Sequence, residues 1–154
     1  MGFGPPSLPD MAAAKTLQVQ LESTLEAVDT AEEMVQDFAR QSGFPDDDVH
    51  RIGMAVRESV VNAVVHGNAF NSHKKVSLDL SSAADRLTIR IQDQGAGFDL
   101  DDVPNPLAEE NLLRKTGRGL FLIRAFMDEL HMHRLSPGGM EVVMVKNSPT
   151  KEEL

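Results

Sequence analysis

A chain of 154 residues and 16.9 kDa has room for one domain, and at that size it buries about 70% of its unfolded surface without a disulfide or metal staple. Hydrophobic residues make up 41% and charged residues 25%, an ordinary globular composition, and the lack of cysteine excludes a disulfide scaffold, a Cys-ligated zinc and a thiol nucleophile. The net charge of −9 argues against direct nucleic-acid binding, and no apolar run reaches the about 18 residues of a membrane span.

Residues 1–14 are rich in Gly, Pro and Ala without a period, which predicts a flexible N-terminal tail. Their start, Met1-Gly2-Phe3-Gly4-Pro5-Pro6, lacks the basic and apolar regions of a signal peptide, so a cytoplasmic location is expected. Leu17, Val19 and Leu21 alternate with glutamines as in a half-buried strand. Ser23 with Glu26 reads as a capping box, opening a helix that stops at Gly43. Pro45 and Asp46-Asp47-Asp48 open a second helix, predicted to run to about His66, with carboxylates at its positive end.

Two alternating strands follow, on Val76, Leu78 and Leu80 and on Leu87, Ile89 and Ile91, with a turn at Ala83-Ala84-Asp85. The chain is irregular from Gln94 to about Gly117. A short apolar helix over 118–127, a strand through Leu130 and Met132, a turn at Ser136-Pro137-Gly138-Gly139 and a last strand over 140–145 complete it. The domain is expected over 15–147, with a C-terminal tail over 148–154. The clean alternation predicts one buried and one wet sheet face. The economical fold is an α+β two-layer sandwich: a mixed, largely antiparallel sheet of about five strands with about three helices on one face.

Charge is unevenly laid out. Residues 22–48 hold nine Asp/Glu against Arg40 alone, which reads as a solvated acidic face. Residues 111–126 hold Arg114, Lys115, Arg118 and Arg124 and no acid.

Three clusters could carry chemistry. On the second helix Ile52, Val56, Val60 and Ala63 form the core stripe, while Glu58 and Asn62 project side by side from another face, with His66 a turn further on. An amide oxygen can ligate Mg²⁺ without adding charge, and a neighbouring carboxylate can polarise a hydroxyl. Asp93 shares the inward parity of Leu87, Ile89 and Ile91 and precedes Gly95 and Gly97, so it suits a pocket floor that accepts a hydrogen bond from a ligand amine. In Lys115-Thr116-Gly117-Arg118-Gly119, a glycine pair opens a helix among basic neighbours, a natural phosphate site.

Neither glycine pair is a dinucleotide fingerprint, because the third glycine would fall at Leu100 or Leu122. No Walker-type loop, H-E-x-x-H or G-x-S-x-G run occurs. His131 and His133 flank Met132 on one strand face and are a weak metal candidate.

Glu58-x-x-x-Asn62, Asp93-x-Gly95-x-Gly97 and Gly117-x-Gly119, in that order, resemble the GHKL (Bergerat-fold) ATPases. The run Glu58 to Gly67 is similar to the N box of the anti-sigma-factor serine/threonine kinases of bacterial partner-switching systems, and the resemblance extends over about 15–146. It implies ATP and Mg²⁺ as cofactors, Asn62 as the Mg²⁺ ligand and Glu58 as the catalytic base. Asp93 would receive the adenine amino group, Gly95 and Gly97 would border the base, and residues 98–116 would form the ATP lid. Lys115 stands where these kinases can carry an Arg near the γ-phosphate, keeping a cation but losing the bidentate fork.

The implied activity is γ-phosphoryl transfer to a serine or threonine of an anti-sigma-factor antagonist of the STAS type, with a sigma factor as the inhibited partner and a homodimer as an expected assembly. Two other readings stay open. One is a nucleotide-dependent binding module of the same fold without kinase activity. The other is a sensor histidine kinase domain, which needs an attached phosphoacceptor helix for which a 14-residue tail has no room.

Overall fold

The computed structural model describes residues 15–95 and 119–149. Strand β1 (Lys15–Glu22) leads into helix α1 (Leu25–Gln41) and helix α2 (Asp46–Val61), which continues as a π-helical turn over Asn62–Gly67. Strands β2 (Lys75–Ser82) and β3 (Arg86–Gln92), helix α3 (Gly119–Phe126) and strands β4 (Glu129–Arg134) and β5 (Met140–Asn147) follow. The expected N-terminal tail, the lid, Gly97 and the basic run 115–118 lie outside the described residues, as does the C-terminal tail beyond Pro149.

The strands form one sheet in the order β1-β2-β3-β5-β4. All four pairings are antiparallel, which corrects the expectation of a mixed sheet. Two short connections, at 83–85 and 135–139, make hairpins of β2–β3 and β4–β5, and a hairpin can only pair antiparallel. In register, Leu80 faces Ile89 and Ile89 faces Met144, so one face is a continuous apolar surface. Against it lie Val28, Val35 and Phe38 of α1, Ile52, Val56 and Val60 of α2, and Leu120 and Ile123 of α3, in one buried cluster. Each such side chain contributes about 1.5–3 kcal/mol by leaving water. Helix α2 packs between α1 and α3, so its far end is held over the middle of the sheet.

Three local expectations are corrected. The cap of α1 is Thr24, whose hydroxyl accepts from the Ala27 N–H at 3.2 Å; Ser23 is buried, and its hydroxyl donates to the Lys74 carbonyl at 2.6 Å. Helix α2 stays α-helical only to Val61. The reverse face of the sheet is not uniformly wet: Thr88, Glu141, Val143 and Val145 on it are buried. Val143 stands in register between Arg90 of β3 and His131 of β4, long side chains able to lie over a small neighbour on an inner strand.

Candidate functional site

The end of α2 meets the end of β3 through a set of close backbone approaches. Past Val61 the helix widens, and the Asn68 N–H bonds the Ala63 carbonyl five residues back, at 2.7 Å. A π turn inserts a residue without breaking the ladder and recurs where side chains must be re-aimed. The stripe of Ile52, Val56, Val60 and Ala63 carries no sign of it. The buried Asn68 shows what holds it: its Nδ2 donates to Ser23 Oγ at 2.9 Å and to the Lys75 carbonyl at 3.0 Å, and its Oδ1 accepts from the Gln94 N–H at 2.8 Å. One amide thereby ties the residue after β1, the first residue of β2, the end of the π turn and the residue after Asp93. The sequence offers Asn68 only as part of a helix stop, so this positioning role was missed. Its one signal is that asparagine there brings both donors and an acceptor.

Asp93 is 7% exposed, and its inward parity on β3 puts it over the core face. Its Oδ1 accepts from the Gly95 N–H at 3.0 Å and the Met140 N–H at 3.2 Å. Its Oδ2 lies beside Gly67, where an added Cβ would stand 2.3 Å from it. At Gly95 an added Cβ would meet the Gly67 carbonyl oxygen at 1.6 Å, so only glycine lets the two loops approach this closely. Burial raises the Asp93 pKa above the ordinary aspartate value; the two N–H bonds and the charge of Lys74 oppose that rise without cancelling it.

These elements border a cleft. Its walls are mostly apolar: Ala63, Ile91, Leu120, Met132, Met140 and Val142. Ser59, Asn62, His66 and Asp93 supply the polar side chains.

Of the sequence candidates, Asn62 and Asp93 border the cleft together. Glu58 lies one helical turn before Asn62 and is half-buried, without being part of the cleft wall. Gly95 is buried against Gly67, and Gly119 is the first residue of α3. Gly97, Lys115, Thr116, Gly117 and Arg118 lie outside the described residues. The histidine pair of β4 faces carboxylates: His131 contacts Glu129 at 3.1 Å and His133 contacts Glu141 at 3.0 Å. Among the described residues no three His, Cys, Asp or Glu side chains gather into a metal cage, and no helix is long and apolar enough to cross a membrane.

The histidine kinase-like ATPase domain matches residues 21–146. The serine-protein kinase RsbW of Staphylococcus epidermidis is 31% identical over 137 residues, covering 84% of this chain and 85% of that protein. The chain belongs to the anti-sigma-factor kinase family of these ATPases. A second member, the RsbW of Bacillus licheniformis, is 35% identical over 116 residues and covers 71% of each chain. The anti-sigma F factor of Clostridium perfringens is 31% identical over 101 residues, covering 64% of this chain and 72% of the other. A solved structure of RsbU and RsbW domains from Mycobacterium tuberculosis superposes with a TM-score of 0.65 at 20% identity, so it shares the fold. It covers 89% of this chain, which spans 34% of that longer one. The family accounts for the antiparallel five-stranded sheet with three helices on one face, and its members use ATP.

Proposed function

We propose that this family member is a cytoplasmic anti-sigma factor with ATP-dependent serine/threonine kinase activity, its substrate an anti-sigma-factor antagonist. The observation that carries the reading is the division of labour within Asp93. One oxygen is held by two backbone N–H groups, and the other is left beside a cleft whose walls are mostly apolar. A buried acceptor to which, among the described residues, no guanidinium or ammonium group donates a hydrogen bond favours a neutral amine donor such as that of adenine.

Asp93 would orient the base, and the Gly67–Gly95 contact would keep the carboxylate from turning away. The Asn62 amide oxygen would hold Mg²⁺, whose charge neutralises the phosphates; one neutral protein ligand suits an ion that arrives with its nucleotide. Lys115, Thr116, Gly117, Arg118 and Gly119 would bind phosphate oxygens through N–H groups and cations. Glu58, one turn before Asn62, would accept the proton of the incoming serine or threonine hydroxyl on a carboxylate oxygen. The sigma factor and the antagonist would be its two alternative partners, with a homodimer as the working assembly.

The test is transfer of the ATP γ-phosphoryl group to the cognate antagonist. Glu58→Gln is expected to lower the transfer rate by about 10²- to 10⁴-fold while keeping ATP affinity. Wild-type transfer by that variant would remove Glu58 from the role. ATP binding by the wild type with no transfer would leave a nucleotide-dependent binding module instead.

A further inference from the structure

Ser59 follows Glu58 on α2 and lines the cleft, yet it stands at an unspecified position of the Glu58-x-x-x-Asn62 motif. It is 2% exposed, and its hydroxyl oxygen is buried with no hydrogen-bond partner. A serine inside a helix ordinarily returns its hydroxyl to a carbonyl of the preceding turn or gives it to water. Leaving it unpaired is costly, so such a group marks a place where a partner arrives from outside the chain. Among the described residues the other side-chain atoms in this state are two nitrogens of Arg90, on the reverse face of the sheet.

The cleft therefore holds two unspent polar groups in an apolar surround. Asp93 Oδ2 can only accept while ionised, whereas a serine hydroxyl can donate. An aromatic base with an exocyclic amine and a neighbouring ring nitrogen satisfies both. A base carrying a carbonyl in place of that amine would set its lone pairs against the carboxylate.

We propose that Ser59 is a base-reading residue: its hydroxyl donates, directly or across one water, to a ring nitrogen of the purine whose amine Asp93 accepts. Ser59 thereby adds a second criterion to the selection of adenine. This inference rests on the nucleotide reading above and deepens it.

The experiment is calorimetric titration of the full chain, wild type and Ser59→Ala, with Mg-ATP, Mg-1-deaza-ATP and Mg-7-deaza-ATP. Ser59→Ala is expected to weaken ATP binding about five- to tenfold. The loss disappears for the analogue that lacks the contacted nitrogen, where the two proteins bind alike. Without nucleotide, Ser59→Ala melts no lower than the wild type, because the hydroxyl contributes no bond there. Unchanged ATP affinity in Ser59→Ala, or an equal loss for all three nucleotides, would overturn the assignment. A wild type that binds none of them would instead overturn the nucleotide reading itself.

Discussion

Asp93 and Glu141 are both carboxylates buried at a strand end, on opposite faces of one sheet. Glu141 has both oxygens engaged by side chains. Its Oε2 accepts from Arg90 at 3.1 Å and from the Gln92 amide at 2.5 Å, and its Oε1 faces His133 at 3.0 Å. Asp93 has backbone N–H groups where Glu141 has a guanidinium, and only one of its oxygens is engaged by them. Burial and charge are common to the two. What separates them is an acceptor left over, and that is what a ligand site requires.

The contrast predicts opposite signatures for two conservative changes. Glu141→Gln strips the charge from a pair in which Arg90 is itself mostly buried, at a cost of about 3 kcal/mol, the half-exposed His133 keeping the loss at the low end for buried pairs. At this chain length that lowers Tm by about 6–12 °C. ATP affinity measured by calorimetry stays within about twofold, since no bond of the cleft is touched. A large loss of affinity would break the comparison.

Asp93→Asn should do the reverse. The amide oxygen still accepts from Gly95 and Met140, but an N–H replaces the open acceptor. Affinity for ATP is expected to fall about 30- to 100-fold, or about 2–2.7 kcal/mol, without a drop in Tm. A lower Tm with retained affinity would make Asp93 a structural carboxylate like Glu141.

Asn68→Ala lies between the two. It removes three hydrogen bonds from the frame around Asp93 and leaves the Gln94 N–H and the Lys75 carbonyl without a side-chain partner. Stability is expected to fall by about 1.5 kcal/mol and ATP affinity by about three- to tenfold, so both readouts move together. A change in stability alone would confine Asn68 to the fold.

The smallest effect is on pH dependence. Asp93 binds its proton more tightly in the fold than in the unfolded chain, because burial raises its pKa. Ionising it therefore costs stability, and the cost grows from about pH 3.9, the ordinary aspartate value, up through the raised pKa. Melting curves of wild type and Asp93→Asn should diverge in favour of the variant across that window and run parallel above it. A gap that narrows with rising pH would contradict the burial of an uncompensated carboxylate.

Short-range periods carried much of this molecule into view. Alternation at Leu87, Ile89 and Ile91 extends to Asp93 and puts it on the inner face, and the 3.6-residue stripe of α2 leaves Glu58 and Asn62 beside each other on another face. Charge layout and the glycine spacings narrowed the chemistry. Such patterns are legible because a strand or a helix repeats every two or about 3.6 residues, whatever the rest of the chain does.

The tertiary structure decided how each polar atom is spent. Met140 binds Asp93 from 47 residues away, Asn68 holds Gln94 across 26, and Ser23 turns from a helix cap to the carbonyl of Lys74 across 51. Whether Thr24 or Ser23 caps α1, whether α2 ends in a π turn and whether the Ser59 hydroxyl finds a partner all follow from those distant contacts. Hydrogen-bond completion is a property of packed neighbours, and packing brings together residues that no local period relates.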